Sequence, residues 1–310
     1  MDAEPPLLVL TGPTASGKSG LALLLAERHG LEVLSADSMS VYRGMDIGTA
    51  KPTPEERRRV PHHGLDLVDA SEDFDSARYV AVADAAIAGA RARGARLLVA
   101  GGTPLYLMAL LRGFFDGPSR DPALRARLEA EEDDEPGLLW RRLSEVDPVA
   151  AERIHARDRR RLVRALEVHE LSGRPISEQQ RQFEEGPPRY PYVALGLERP
   201  RDELRARVRR RCRAMFEGGL VDEVRALLTR GGFSATAREA IGYREVLTFL
   251  DGGLKAEELE YRVRSNTPRL VRRQTTWFRR FPGLTRVDAG DRPVAELAET
   301  FERGFGLVAG

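Results

Sequence analysis

The stretch Gly12-Pro13-Thr14-Ala15-Ser16-Gly17-Lys18-Ser19 follows directly on the apolar run Leu7-Leu8-Val9-Leu10. It matches the pattern G-x-x-x-x-G-K-[ST], and its neighbours predict the strand before it and the helix after it that this pattern requires. In such a loop, backbone N–H groups and the helix N-terminus form a concavity for anions, and the lysine adds a positive charge. The stretch therefore predicts a phosphate-binding loop (P-loop), in which the Ser19 hydroxyl is placed to bind Mg²⁺.

Strand and helix patterns alternate along the chain after this loop. Apolar runs at residues 32–35, 96–100 and 192–197 predict further strands, and helical patterns at 18–29 and 76–93 lie between them. Continuous apolar strands that alternate with helices indicate a parallel sheet covered on both faces. We therefore expect an α/β fold with a parallel-sheet core of the P-loop NTPase or kinase type. Further helices are expected at 201–217, 221–228, 243–250 and 255–280, and a last strand at 284–287.

The pattern changes between residues 117 and 190, where strands give way to charged helical segments. We predict a discontinuous catalytic core at residues 1–117 and 191–310 and an all-helical insertion domain at 118–190. The acidic run at 131–135 predicts a solvated loop inside the insertion. Residues 37–61 predict a loop too long to be a simple connection, and such loops are usually functional.

Composition describes a folded protein: 310 residues, 42% hydrophobic and 31% charged, with a net charge of +1. A single cysteine, Cys212, excludes an internal disulfide framework and a cysteine-rich zinc site. The N-terminal stretch lacks a basic region and is too short in its apolar part for a signal peptide or a membrane span. We expect a protein of the reducing cytoplasm with no membrane contact.

Arginine is concentrated between Arg201 and Arg286, which gives this span a net positive charge. Two interpretations stay open at this point. In the first, the positive charge of the span reflects only the chain's general use of arginine in place of lysine. In the second, the arginines form a surface for a polyanion such as a nucleic acid.

The position of acidic residues helps to distinguish a nucleotide triphosphatase from other P-loop proteins. A nucleotide triphosphatase normally has an acidic residue at the end of a second apolar strand, where it helps hold the metal. Here the run ending at Ala100 continues into Gly101-Gly102-Thr103 instead. Asp37 stands at the carboxyl end of another predicted strand, the edge at which α/β sheets build their sites. It is a candidate functional acid, although a cap or turn role would also suit an Asp-Ser pair.

These pieces together resemble one family, the tRNA dimethylallyltransferases, also called IPP transferases. The P-loop alone is shared with many kinases, whereas the whole set of motifs is specific, occurs in family order and spans almost the whole chain. The motifs are GPTASGKS (12–19), ADSMSVYRGMDIGTAKP (36–52), PHHGLD (61–66), GGTPLY (101–106), RLVRALEV (161–168), AIGYRE (240–245) and RRQTTWFRR (272–280).

The resemblance implies transfer of a dimethylallyl group from dimethylallyl diphosphate to the N6 amine of adenosine 37, beside the anticodon of tRNAs that read UNN codons, with release of diphosphate. Asp37 matches the general base of the family, and Thr103 and Arg125 match residues near the reacting group. The P-loop would then hold the diphosphate, with Mg²⁺ as cofactor. The residues implied to bind the anticodon stem-loop are Asp37, Ser38, Met39, Ser40, Thr103, Arg125, Arg160, Arg161, Leu162, Val163, Arg164, Arg238, Gly242, Tyr243, Arg244, Arg272, Arg273, Gln274, Trp277 and Arg279.

One departure from the family pattern stands near the last motif, where Thr267 is followed by Pro268 instead of an arginine. A proline inside a long helix kinks it or marks a new start, so we expect an interruption there. Two other enzymes use the same loop, an adenylate isopentenyltransferase that acts on free nucleotide and an ATP-dependent small-molecule kinase. The arginine-rich insertion and C-terminal span favour tRNA over both, and we expect a monomer.

Overall fold

The computed structural model describes residues 4–114, 117–180 and 186–307. Two compact units make up the chain, one formed by residues 1–111 with 190–310 and the other by residues 112–189. The helical unit thus begins at Arg112, earlier than the start at Pro118 that the sequence predicts.

The first unit is built on a six-stranded sheet in which every neighbouring pair is parallel. Its strand order is β3-β2-β4-β1-β5-β6, so that β1 lies near the middle between β4 and β5. This confirms the α/β class and the parallel sheet. The strands are β1 (Leu7–Thr11), β2 (Glu32–Ser35), β3 (His62–His63), β4 (Leu97–Gly101), β5 (Tyr192–Glu198) and β6 (Leu284–Asp288).

Helices cover both faces of the sheet because alternate strand residues are apolar on each side. Val9 belongs to one buried cluster and its neighbour Leu10 to another. Ile87 packs in the first cluster and Phe301 in the second. The helices of this unit are α1 (Lys18–His29), α2 (Pro54–Arg59), α3 (Ser76–Ala92) and α4 (Pro104–Arg112, whose last residue opens the second unit), then α10 (Arg201–Glu217), α11 (Leu220–Leu228), α12 (Tyr243–Leu250), α13 (Ala256–Phe278) and α14 (Val294–Gly304).

The second unit consists of helices and connecting segments, has no strand among its described residues, and has its own core. Leu128, Leu143, Leu162 and Leu166 are among the fully or almost fully buried side chains that pack together there. Its helices are α5 (Pro122–Asp134), α6 (Leu138–Val146), α7 (Pro148–Arg153), α8 (Arg159–Ser172) and α9 (Ile176–Gln180).

The acidic run was expected to form a solvated loop, and this expectation is wrong, because most of the run lies in α5. Asp121 caps the helix by accepting a hydrogen bond from the N–H of Leu124 at 3.0 Å. The carboxylates are compensated by arginines from other helices of the unit: Arg159 binds Asp133 at 2.5 Å. Because the charges are paired, glutamate's good helix propensity decides the local structure.

The interruption expected at Pro268 is also absent, since α13 is one continuous helix from Ala256 to Phe278. Thr267 is buried, and its hydroxyl donates to the carbonyl of Val263 at 2.8 Å. Val263 packs against Val208 and Cys212 of α10. Burial against α10 therefore holds the helix across a proline that would break it in isolation.

The region 37–61, predicted as a loop, contains the short helix α2. Thr53 and Glu56 form a reciprocal capping box, and Pro54 occupies the first helical position. This Thr-Pro-Glu-Glu signal is readable from sequence. The strand β3 and the helices α4 and α14 were not predicted.

Candidate active site

The P-loop has a backbone conformation that depends on glycine. Gly12, Ala15 and Gly17 have positive φ angles of 152°, 66° and 98°. Gly17 is the N-cap of α1, and a Cβ atom at Gly12 would lie 2.7 Å from the carbonyl oxygen of Leu197. Glycine is therefore required at position 12, and the loop ends at a helix N-terminus that favours an anion.

Lys18 lies at the first turn of α1 with its Nζ 3.4 Å from the carbonyl oxygen of Pro13. Burial lowers the pKa of Lys18 to about 8, the carboxylate of Asp37 partly offsets this effect, and the nearby Arg211 lowers the pKa further. Lys18, Asp37 and Arg211 are therefore close enough to interact electrostatically. A bound anion would favour the charged form of Lys18.

Asp37 follows β2 by two residues and is half-buried. Its Oδ1 accepts a hydrogen bond from the N–H of Met39 at 2.9 Å, and its carbonyl oxygen accepts one from the hydroxyl of Ser40 at 3.0 Å. These two hydrogen bonds stabilise a turn at residues 37–40, as the cap or turn role considered for Asp37 predicts. They also orient the carboxylate, so the capping and functional interpretations are compatible.

Thr103 joins the segment after β4 to the segment that carries Asp37. Its Oγ1 accepts a hydrogen bond from the N–H of Ser38 at 2.9 Å and lies 3.3 Å from the Ser38 hydroxyl. Its own N–H donates to the carbonyl of Ala36 at 3.1 Å. A Cβ atom at Gly101 would lie only 2.2 Å from that same carbonyl oxygen, so the two strand ends can meet only with glycine there.

Gln274, expected to contact tRNA, is instead buried in α13 with 8% of its surface exposed. Its Oε1 accepts a hydrogen bond from the N–H of Thr14 at 2.8 Å, and its Nε2 donates to the carbonyl of Gly102 at 2.7 Å. Both hydrogen-bonding ends of the Gln274 side chain thus have backbone partners inside the first unit, and the side chain is not exposed at the surface.

Other residues expected in the tRNA contact are also buried. The side chains of Leu162 and Val163 lie in the core of the helical unit, and Gly242 and Tyr243 are buried in the first unit. Their burial does not favour a direct RNA contact, and the role of these four positions stays a prediction. A motif pattern marks residues that a family retains, and it cannot separate contact residues from the core residues beside them.

Most of the predicted basic residues are exposed. Arg160 and Arg161 lie at the start of α8, Arg272 and Arg273 lie on α13, and Trp277 is 40% exposed. Arg238 and Arg279 are exposed as well, whereas Arg164 and Arg244 are half-buried. The exposed positions retain the predicted role as candidate RNA contacts.

Arg125 lies on α5 in the helical unit, where it pairs with Glu167 of α8. Its Nε and Nη2 donate to the two carboxylate oxygens at 2.7 Å each, and Arg164 adds a third bond at 2.6 Å. Burial would raise the pKa of Glu167, but these bonds and one from the N–H of Asp121 lower it to about 2. Arg125 is therefore half-buried in an ion pair within the helical unit, and its predicted role near the reacting group stays a prediction.

Two arginines, one just before α10 and one within it, donate hydrogen bonds to backbone carbonyl oxygens of the P-loop. The sequence analysis did not predict these contacts. Arg199 donates to the carbonyl of Ser16 at 2.6 Å, and Arg207 donates to the carbonyl of Ala15 at 2.7 Å. Arg211 donates to the carbonyl of Thr49 at 3.1 Å. The available signal was the spacing: Arg207 and Arg211 are four residues apart beside the buried stripe of α10 and so face inward with it. Part of the positive charge after residue 201 thus serves the site itself.

The loop after Asp37 is fixed by two residues from α11 and α12. Glu223 accepts hydrogen bonds from the N–H groups of Asp46 at 3.0 Å and Ile47 at 2.8 Å. The hydroxyl of Tyr243 donates to Glu223 at 2.5 Å and accepts from the N–H of Gly48 at 3.2 Å. This explains the buried position of Tyr243: it positions a loop of the site.

A cavity of about 330 Å³ borders Gly12 and Pro13 on the side of β5 and β6. Its walls are mainly apolar, and two of the predicted RNA-contact arginines, Arg272 and Arg279, lie among its lining residues. The arginine-bearing face of α13 therefore extends to the first residues of the P-loop.

Within the described ranges, no helix is long and apolar enough to cross a membrane. Among those same residues, no group of three or more histidine, cysteine, aspartate or glutamate side chains is arranged to hold a metal ion. Cys212 is a free, buried cysteine.

Comparison with known proteins shows which family the chain resembles. A family model described as isopentenyl transferase matches residues 5–65, and one described as IPP transferase matches residues 40–281. The chain is 52% identical to a tRNA dimethylallyltransferase of Anaeromyxobacter dehalogenans over 285 residues, which cover 90% of this chain and 91% of the relative. It is 45% identical to the tRNA dimethylallyltransferase of Pelotomaculum thermopropionicum, with 90% and 89% covered.

Solved structures are similar over nearly the same extent. The tRNA isopentenylpyrophosphate transferase of Bacillus halodurans has a TM-score of 0.71 and 38% identity, with 98% of each chain covered. A eukaryotic dimethylallyltransferase solved while acting on tRNA has a TM-score of 0.77 and 29% identity, with 93% of this chain and 75% of that chain covered. With its P-loop, its Asp37 turn and this extent of similarity, the chain belongs to the IPP transferase family.

Proposed function

We propose that this protein transfers a dimethylallyl group from dimethylallyl diphosphate to the N6 amine of adenosine 37 in tRNAs that read UNN codons. The observation that carries the proposal is that the turn after β4 lies next to both Lys18 and the Asp37 segment. A Cβ atom at Gly102 would lie 3.2 Å from Nζ of Lys18, and the hydroxyl of Thr103 accepts a hydrogen bond from the N–H of Ser38, the neighbour of Asp37. An anion-binding group and a proton acceptor then share one site. The names of the similar proteins, which specify tRNA and a dimethylallyl or isopentenyl donor, support this choice over free nucleotide and over phosphoryl transfer.

In the proposed reaction, the bond between the allylic carbon and the diphosphate oxygen breaks, and a bond from N6 of adenine to that carbon forms. The N6 lone pair is delocalised into the ring, so attack benefits from a base that removes the N6 proton. Asp37 is that base. Its Oδ1 is held by the N–H of Met39, which leaves Oδ2 to take the proton.

Negative charge develops on the departing diphosphate, and donors already fixed around it lower the barrier. The P-loop amides, Lys18 and the half-buried Arg211 supply such donors. Arg199 and Arg207 fix the loop through the carbonyls of Ser16 and Ala15. In the proposed reaction the loop binds the leaving diphosphate, whereas in an ATP-dependent kinase the same donors would bind a nucleotide triphosphate.

Mg²⁺ would be held by the hydroxyl of Ser19, which is exposed at the first turn of α1. When bound, it would neutralise part of the diphosphate charge. The position fits the pattern of the loop, and it is the proposed metal site.

The target adenine has to leave the anticodon loop stack before it can reach Asp37, at a cost of a few kcal/mol. Exposed arginines at Arg160, Arg161, Arg272 and Arg273 offer phosphate contacts that offset this cost. We expect the protein to act as a monomer in the cytoplasm.

The test is direct. The protein is incubated with unmodified tRNA, dimethylallyl diphosphate and Mg²⁺, the tRNA is digested, and nucleosides are identified by mass spectrometry, with free adenosine monophosphate as a parallel substrate. We expect prenylated adenosine from tRNA and none from the free nucleotide. Product from the free nucleotide alone, or no prenylated adenosine from either, would contradict the proposal.

A further inference from the structure

Gln274 is unusual among the predicted RNA contacts because both ends of its side-chain amide are used by backbone groups of the active site. Oε1 accepts from the N–H of Thr14, and Nε2 donates to the carbonyl of Gly102. A backbone N–H can only donate and a carbonyl oxygen can only accept, so these two partners determine the orientation of the amide.

The two segments joined by Gln274 are the P-loop and the turn after β4 that leads to Thr103. Space around the amide is tight: a Cβ atom at Gly102 would lie 2.9 Å from Nε2 of Gln274 and 3.2 Å from Nζ of Lys18. The amide of Gln274 and the ammonium group of Lys18 therefore both lie next to Gly102.

We propose that Gln274 is a positioning residue for the donor diphosphate and not a tRNA contact. By holding Thr14 and Gly102 together, it fixes the P-loop backbone before the anion arrives, which lowers the ordering cost of binding. The identification of that anion as a diphosphate rests on the function proposed above.

Gln274 also lies on the same helix as Arg272 and Arg273, which are exposed. Residues two and one positions away point to other sides of the helix. One segment of α13 thus presents arginines outward and an amide inward to the P-loop. A direct RNA contact at Gln274 would require its buried amide to leave both backbone partners unsatisfied, which is unfavourable for buried polar groups.

The experiment measures three quantities on each variant of the full chain: pyrophosphate affinity in the presence of Mg²⁺ by calorimetry, tRNA affinity by fluorescence anisotropy, and the thermal unfolding midpoint. Gln274→Met keeps the length of the side chain and removes both hydrogen bonds. Gln274→Glu keeps the size and an acceptor for Thr14, loses the donor to Gly102, and serves if the methionine variant does not fold.

Gln179 offers a matched control. It is also a glutamine with 8% exposure, and its Nε2 donates to the hydroxyl of Ser172 at 2.9 Å within the helical unit. Gln179→Met therefore removes a comparable buried bond without touching the P-loop.

We expect both Gln274 variants to bind pyrophosphate about tenfold more weakly, which corresponds to ~1.4 kcal/mol. Their tRNA affinity should stay within about twofold of wild type, since binding of the RNA depends on the exposed arginines. Gln179→Met should lower the unfolding midpoint and leave pyrophosphate affinity unchanged.

Unchanged pyrophosphate affinity in the Gln274 variants, with or without weaker tRNA binding, would overturn the inference. An equal loss in Gln179→Met would also overturn it, because the effect would then be one of general stability. Wild-type protein that binds no pyrophosphate would contradict the proposed function itself, and the inference with it.

Discussion

The hydroxyl of Thr103 accepts a hydrogen bond from the backbone N–H of Ser38 at 2.9 Å. This contact connects the turn after β4 to the turn that orients Asp37, whose own Oδ1 is bound by Met39 one residue further on. The proposed base is therefore held in place by a neighbouring strand end. Thr103 acts at least as a support for Asp37, whatever contact it makes with the substrates.

Removing that hydroxyl should reduce turnover. Thr103→Val leaves the N–H of Ser38 without its acceptor, at a cost of about 1–3 kcal/mol, and we expect kcat to fall by about tenfold to a hundredfold. Thr103→Ser retains the acceptor and should stay within a few-fold of wild type. Equal rates for the valine variant and wild type, measured as prenylated tRNA formed at saturating substrates, would show that the contact does not support catalysis.

Binding of the diphosphate should depend on pH through Lys18. Burial lowers the pKa of Lys18 to about 8 in the free protein, and a bound anion raises it, so binding takes up a proton above that pH. We expect the Kd for pyrophosphate to increase by up to ~tenfold per pH unit between about pH 8 and about pH 9.5. Pyrophosphate itself titrates, so Lys18→Met serves as the reference. Superimposable pH profiles for the two proteins would remove Lys18 from the account.

Arg125 should matter first for the stability of the helical unit. Glu167 has no exposed side-chain surface and depends on Arg125 and Arg164. Arg125→Met leaves a buried carboxylate with fewer partners and should lower the free energy of unfolding by about 3 kcal/mol in a denaturant titration. Adding Glu167→Gln to this variant should recover part of the loss. A stable Arg125→Met protein that has lost turnover would instead support the predicted role near the reacting group.

Affinity for tRNA should decrease steeply with salt, because arginine–phosphate contacts release counterions. Replacing both Arg272 and Arg273 with alanine should weaken tRNA binding and reduce the slope of log Kd against log salt by about 1–2. Arg303→Ala is the control, since Arg303 is an exposed arginine on α14, outside the predicted contact set. Equal slopes for the double variant and the control would remove α13 from the RNA surface.

Much of the fold could be predicted from the sequence because its signals are local. Helix α1 and strand β2 have the predicted bounds, since Gly30 ends the helix and apolar residues define the strand. The helical state of the acidic run at the end of α5 and the continuity of α13 across Pro268 could not be predicted. The conformation of these two segments depends on partners distant in sequence. Arg159 pairs with the acidic run, and α10 packs against the helix that contains Pro268.

The candidate site likewise contains residues that the sequence predicts and residues that it does not. The P-loop and Asp37 are recognisable from motif and position, because strand ends of a parallel sheet meet at one edge. The inward direction of Gln274 was not predictable, since it depends on how α13 packs in the first unit. The inward direction of Arg207 had a signal in its spacing along α10, but the backbone groups that it binds were not predictable. A motif match gave Gln274 an external partner, whereas its hydrogen bonds give it an internal one.

The central claim is that the P-loop holds a leaving diphosphate while Asp37 accepts the proton. The measurement that tests it most directly is the ratio of diphosphate released to prenylated adenosine formed. Prenylated adenosine and released diphosphate are quantified together in reactions without ATP, for wild type and for Asp37→Asn, which can still accept the Met39 hydrogen bond but cannot take up a proton. We expect one diphosphate for each prenylated adenosine in wild type, and a loss of about a hundredfold or more in Asp37→Asn with tRNA and pyrophosphate affinities retained. A requirement for ATP, diphosphate released without prenylated product, or full activity of Asp37→Asn would contradict the account.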